Sequence, residues 1–309
     1  MKEILKDDFQ KEDLENASIQ KMRRHKKSVA AEQFPYRYED VPYGEEAEQR
    51  LDIFLPSEKG VFPVVFVVHG GGWVSCTKRC QDHAAMYKII SQGYALVSVE
   101  YHLAPESKWP VPIKDVMRAL DFVIENAEKY RLDVSHLTVW GNSAGGHLIE
   151  MAAGLDSREV AEGKRKAPRI AAVLCWYGCS NLTPEKPTDG SFAEQALLGG
   201  KFTEIPQTFY DASPISHVTK CFPRILLQHG VEDALVSWKQ SRAMHERVTA
   251  VCGSERSTLE LFPGGHGCAA IKCDENVRRC IRFLDEVNGI HRENYDFSLP
   301  EIILEDREG

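Results

Sequence analysis

The hexapeptide Gly141-Asn142-Ser143-Ala144-Gly145-Gly146 constrains this chain more than any other segment, because it can only be a sharp turn. It follows a strand-like run, Leu137-Thr138-Val139-Trp140, and opens a helix-like stretch, AGGHLIEMAAG. A strand that passes into a helix over so few residues leaves no space for side chains two before and two after the apex. Glycine stands at both places, Gly141 and Gly145. The apex is Ser143. A helix beginning at Ala144 would aim backbone N–H groups and its positive dipole end at that serine, which suits a developing oxyanion. A bare G-x-S-x-G is a weak signal; the strand–turn–helix setting makes it a nucleophile site.

The rest of the chain supplies a matching rhythm. Strand-like runs at Gln49–Leu55, Pro63–Val68, Ala95–Tyr101, Leu137–Trp140, Ile170–Trp176, Arg224–Gln228 and Thr258–Phe262 alternate with helical patterns. The helical patterns are Gln81–Ser91, Ile113–Tyr130, Ala144–Gly154, Ser237–Val251 and Glu275–Val287. Runs such as PVVFVV and RILLQ are apolar without alternation, as strands buried on both faces are. The expected fold class is α/β: one domain over 1–309, with a mostly parallel central sheet and helices on both faces. Three segments stand apart. Residues 1–45 form a polar leader with a weak amphipathic pattern (Ile4, Leu5, Phe9, Leu14) and a basic cluster, Lys21 to Lys27, expected to be a solvated helix face. The interval 177–222 carries Pro184, Pro187, Pro206 and Pro214 with a short helical stretch at Phe192–Leu198, and is expected to form a lid together with the leader. The tail 289–309 is charged but holds Ile302, Ile303 and Leu304, fit to dock on the body or on a second subunit.

A serine hydroxyl needs an adjacent base and a group that orients the base. Both follow in chain order. Asp233 lies in HGVEDALV, just past the strand-like RILLQ, and His266 lies in FPGGHG, just past another strand. Catalytic groups of open α/β sheets gather at such carboxyl ends. The order Ser…Asp…His is the one that nucleophile-elbow architectures use. Glu232 is adjacent to Asp233 and is an alternative acid at this point.

His69-Gly70-Gly71-Gly72-Trp73 follows PVVFVV directly. Three glycines leave backbone N–H groups uncovered, so they can approach a substrate oxygen. A phosphate loop would need G-x-x-x-x-G-K-[ST] or G-x-G-x-x-G, and neither is written here. Gly71 and Gly72, with the N–H of Ala144, therefore make a candidate oxyanion hole. Trp73 either walls the substrate pocket or is a buried core tryptophan.

HGGGW, VEYHLAPE (Val99–Glu106), GNSAGGH, HGVED and GGHG together resemble the hormone-sensitive-lipase-like branch of the α/β-hydrolase esterases. With QRLDIFLP (Gln49–Pro56), the chain is most similar to the bacterial esterases described as feruloyl- or acetyl-esterase-like. The resemblance covers about residues 45 to 288. It implies an α/β-hydrolase fold with a small cap, a triad of Ser143, Asp233 and His266, and an oxyanion hole of Gly71, Gly72 and Ala144. It favours Asp233 over Glu232, and it gives His69 a scaffolding role under the glycine loop. One position departs: the family writes Y-R-L-A-P-E, and His102 stands where arginine is expected. The implied activity is a serine carboxylic-ester hydrolase of the carboxylesterase kind, acting on short-chain or small acyl esters, acetyl or aromatic acyl groups on sugars among them. An amidase or formamidase would use the same triad, and a non-catalytic ligand-binding protein could keep the same pocket.

Composition narrows partners and compartment. A net charge of −8 argues against a nucleic-acid binder. No apolar run is long enough to span a bilayer, and the acidic start is not a secretory signal, so the expected setting is cytoplasmic with no stable membrane association. The nine cysteines are odd in number, and Cys76-x3-Cys80, Cys175-x3-Cys179 and Cys268-x4-Cys273 are not the C-x2-C pairs of structural zinc. No metal and no cofactor are implied; the expected partner is a small-molecule ester, and a homodimer is compatible with the resemblance.

Overall fold

The computed structural model describes residues 18–23, 27–184 and 190–306. The leader's Ile4, Leu5, Phe9 and Leu14, the basic residues Arg24, His25 and Lys26, and Pro187 lie outside the described residues. Eight strands form one sheet: β1 (Arg37–Pro42), β2 (Arg50–Phe54), β3 (Phe62–Val68), β4 (Ala95–Val99), β5 (Leu132–Asn142), β6 (Ala172–Trp176), β7 (Arg224–Gly230) and β8 (Ser257–Phe262). Their order is β1-β2-β4-β3-β5-β6-β7-β8. The first two strands run antiparallel to their neighbours and all later pairings are parallel. This is an α/β-hydrolase sheet.

The apolar runs divide between two cores by the period of two along a strand. Val64, Phe66 and Val68 of β3 join the cluster that holds α1 (Val111–Glu125), α2 (Ala144–Ala161) and α5 (Lys239–Cys252), through Val116, Leu148 and Met244. Val65 and Val67 face the other side, against Met86 and Ile89 and against Val277 and Ile281 of α6 (Asp274–Asn288). Every residue of α2 from Ala144 to Gly154 is buried, which explains why that stretch is apolar on all sides apart from His147 and Glu150.

Several local expectations are corrected. β1 gave no strand signal because it is a largely exposed edge strand, interrupted by a bulge at Asp40 with φ of 52°. The expected helix at Gln81–Ser91 is a run of 3-10 turns, Gln81–Gln92, broken at His83 and stopped by Gly93 in the left-handed region. The expected helix to Tyr130 ends at Glu125. The 177–222 interval holds, besides α3 (Phe192–Leu198), a second short helix, α4 (Pro206–Asp211), and a 3-10 turn, Pro214–His217. Both of the latter begin on a proline, which breaks a sequence pattern yet suits a first helical turn.

The described parts of the leader and tail pack onto the body. Residues 18–23 are helical, and Ile19 is buried with Val74 and Ala104. Arg23 departs from the expected solvated face: its guanidinium donates to Val74 O (2.8 Å) and Ala104 O (3.1 Å) and pairs with Glu106 (2.7 Å). In the tail, Leu304–Glu305 pairs antiparallel with Ser28–Val29 of the same chain, while Tyr295, Phe297 and Ile302 pack on the second core. Among the described residues no helix is long and apolar enough to cross a membrane.

Candidate active site

Strand register assembles the site. Val68 pairs with Gly141, so the glycine loop after β3 leaves the sheet beside Ser143. Gly230 pairs with Phe262, so the loops carrying Asp233 and His266 leave it side by side. Ser143 has φ of 53° and ψ of −122°, in the left-handed half of the map that non-glycine residues seldom occupy. That strain lifts its side chain out of the turn. Ser143 Oγ lies 3.0 Å from His266 Nε2, and His266 Nδ1 lies 2.7 Å from Asp233 Oδ2. The consistent tautomer has Ser143 donating to Nε2 and Nδ1–H donating to the carboxylate.

Asp233 is held from several directions. Oδ1 accepts the N–H groups of Leu235 (2.9 Å) and Val236 (2.8 Å), and Oδ2 accepts from His229 Nε2 (3.2 Å) as well as from His266. Burial by itself would raise the carboxyl pKa. The hydrogen bonds from His229, His266 and Val236 outweigh burial and hold it well below the ordinary carboxylate range. Glu232 is exposed, and its N–H donates to Gly264 O.

Gly71, at φ of 102°, adopts a conformation that side-chained residues rarely reach. Its carbonyl turns back to accept from Val74 N, Ser75 N and Ser75 Oγ (2.9 Å), which leaves its N–H side on the pocket. Among the described residues no protein acceptor takes the N–H groups of Gly71, Gly72 or Ala144. His69 sits beneath this loop, with Nδ1 2.8 Å from Gly70 O and its ring stacked on Tyr101. Trp73 takes both of the places open to it: it is 2% exposed, and it lines the pocket. Its Nε1 donates to His147 Nδ1 (3.2 Å), whose Nε2–H donates to Ala212 O (2.7 Å). Burial pushes His147 down to about 4, which keeps it the neutral acceptor that Trp73 requires.

The pocket over Ser143 has a volume of about 450 Å³. Met22, Trp73 and Phe192 form apolar wall, and Ser191, Glu194 and Ser237 supply polar edges. Of the other aromatics in 177–222, Phe202, Phe209 and Tyr210 pack on one another instead. Two supporting residues had no sequence signal. Tyr177 sets its ring against His266 at 4.7 Å, and His229 reaches Asp233 across a turn that sequence spacing does not specify.

Arginine's expected place is rebuilt around His102. Its Nδ1 donates to Asp115 Oδ2 (2.6 Å), and Nε2 faces Glu46 (3.1 Å) and Glu48 (3.3 Å). Burial opposes the charged ring, but Asp115, Glu48 and Glu46 raise its pKa above the ordinary histidine value. This cluster lies apart from the residues lining the pocket.

Comparison with known proteins places this geometry in a family. The BD-FAE family model matches residues 51–248. Among curated relatives, the esterase LipC of Mycobacterium tuberculosis is 34% identical over 272 residues, covering 84% of this chain and 66% of that protein. The esterase LipQ of the same organism is 31% identical, covering 74% of this chain and 56% of that protein. The chain thus spans between about half and two thirds of the length of these relatives. Among solved structures, a truncated carbohydrate esterase from gut microbiota superposes with a TM-score of 0.73 at 25% identity, covering 85% of this chain and 99% of that one.

Proposed function

This chain belongs to the BD-FAE family within the hormone-sensitive-lipase-like α/β-hydrolases, and from that membership and the site's geometry we propose that it is a carboxylesterase. The observation that carries the reading is the continuous relay Ser143 Oγ–His266 Nε2, His266 Nδ1–Asp233 Oδ2 at 3.0 and 2.7 Å, facing free loop N–H groups.

His266 takes the Ser143 proton as Oγ attacks the ester carbonyl, and the oxyanion settles on the N–H groups of Gly71, Gly72 and Ala144. The imidazolium then protonates the leaving alcohol, and water repeats the sequence to release the acid. Asp233, kept ionised by its donors, orients His266 and offsets its transient charge.

The substrates are esters of acetyl or other small acyl groups, aromatic ones included, with sugars as the alcohol. A pocket of about 450 Å³ is in the range of sites for small molecules. Its polar edge, Ser191, Glu194 and Ser237, suits hydroxyl-rich alcohols, and a carbohydrate esterase is among its structural neighbours. Residues 18–23 and the described part of the 177–222 segment act as the cap, since Met22 and Phe192 both line the pocket and pack against the cluster of Ile19, Val74 and Ala104. The test is a series of chromogenic esters from acetyl to decanoyl, with acetylated sugars, feruloyl esters and anilides, on wild type and Ser143→Ala. Cleavage of short esters by wild type alone supports the reading. A folded wild type that cleaves none of them, or a variant equally active, rejects it; preference for the anilide turns it toward an amidase.

A further inference from the structure

The spacing Cys76-x3-Cys80 is not the C-x2-C of structural zinc, yet the fold brings the two thiols together. Cys76 lies in a turn with φ of 77°, a conformation rare outside glycine, and that turn folds residues four apart onto each other without a helix. The two Sγ atoms are 3.1 Å apart, and each lies 3.8 Å from Asp82 Oδ2. A triangle with those sides has a point about 2.1 Å from all three donors, inside the ~2.0–2.3 Å reach of zinc for carboxylate and thiolate.

The donors differ in their surroundings. Both cysteines are buried, and Cys80 is pinned by its bridge to Ser28 and by its own N–H on Thr77 O (3.0 Å). Asp82 instead lines the catalytic pocket, in the same wall as Gly71 and Lys272. A cation therefore has an entry path past Asp82, and three protein donors leave a fourth coordination position for water. Two sulfurs and one carboxylate oxygen select a borderline-soft ion over magnesium or calcium, which take oxygen ligands. The neighbouring His83 is committed elsewhere, with Nε2 on Lys78 O at 2.8 Å.

We propose that Cys76, Cys80 and Asp82 form a zinc-class cation site beside the oxyanion loop, open to the catalytic pocket. Cys76 Sγ is 2.8 Å from the point where Gly71 would carry a side chain, so a bound ion would brace the loop that presents Gly71.

The full chain, reduced with a phosphine and stripped with a chelator, is titrated with Cd²⁺ alone and followed by the ultraviolet thiolate-to-metal band. The expected result is saturation at one equivalent, with Zn²⁺ displacing Cd²⁺. Cys80→Ser and Cys76→Ser each weaken binding by at least about tenfold and Asp82→Asn does so less, while Cys273→Ser, at an exposed cysteine, changes nothing. Thermal melts of each metal-free variant, required to stay within a few degrees of wild type, separate loss of the site from loss of the fold. These readouts do not depend on ester hydrolysis. Absence of the band at one equivalent, its survival in the Cys76→Ser/Cys80→Ser double variant, or a Cys76–Cys80 disulfide that persists under the phosphine overturns the proposal.

Discussion

Gly145 has the carbonyl oxygen of His69 where any other residue would carry its side chain: a Cβ there would lie 2.5 Å from that oxygen and would also strike Val68 O. The contact clamps the first turn of α2 against the end of β3, which sets the distance between Ser143 and the glycine loop. Gly145→Ala is expected to destabilise the fold by about 3 kcal/mol, because neither partner is a side chain that can swing away. A thermal melt and the soluble yield read this directly. A melt within a degree of wild type would mean the α2–β3 contact is looser than described.

Asp233 and Glu232 are adjacent in sequence, yet only Asp233 is buried and bonded to His266. Asp233→Asn should lower kcat on the order of 10⁴-fold, the loss seen when the same constellation is given the wrong imidazole tautomer elsewhere. Glu232→Gln should leave kcat within about twofold. Parallel rate measurements on one short ester decide between the two carboxylates.

Glu150, inside α2, is fully buried with Ser180 and Cys175 beside its carboxylate, and among the described residues neither oxygen receives a hydrogen bond of good geometry. Burial pushes its pKa from 4.5 up to about 7. The folded chain therefore holds this proton more tightly than the unfolded chain does. Its contribution to stability is complete below pH about 4.5, declines as pH rises toward about 7 and is level above that. Glu150→Gln should raise the melting temperature at pH 8 relative to wild type and flatten the decline between pH 5 and 7, roughly. Calorimetric melts across that range test it; an unchanged slope would assign the pH dependence to other groups.

His102 loses its contribution in the same direction as Glu150, as pH rises. Its raised pKa comes from Asp115, Glu48 and Glu46 working against burial, so its stabilisation is full below the unfolded histidine pKa and is lost as pH rises through the folded value. His102→Arg keeps a charge among those carboxylates at every pH. The variant should gain in melting temperature over wild type at alkaline pH more than it does at pH about 6. Equal shifts at both would show that the ring's charge is not what the cluster uses.

Met22 lines the pocket from the leader, as Phe192 does from the 177–222 segment. Met22→Ala should raise kcat/KM for hexanoyl relative to acetyl esters by several-fold while leaving the acetyl rate near wild type. A chain-length profile identical to wild type would remove the leader from the acyl wall.

How much of this was legible in the chain differs from residue to residue. Ser143, with Gly141 and Gly145, was readable because a strained strand-to-helix turn excludes every larger residue, so sterics write it into sequence. The same holds for the Gly70–Gly72 loop and for buried strands such as Phe62–Val68, whose apolar runs have no other use. Asp233 and His266 were readable only as positions just past strands; that they meet is decided by the Gly230–Phe262 register. What lay beyond the sequence depends on contacts between distant segments: Arg23 held by Val74 and Ala104, Tyr177 against His266, and His102 among Glu46, Glu48 and Asp115. Local sterics and periodicity act between residues a few places apart and are recorded in the order of the chain. Pairings across tens of residues are set by how the sheet is ordered and how the helices pack. The Cys76–Cys80–Asp82 triangle is local in sequence, yet it depends on a left-handed backbone at Cys76 that the residue types do not announce.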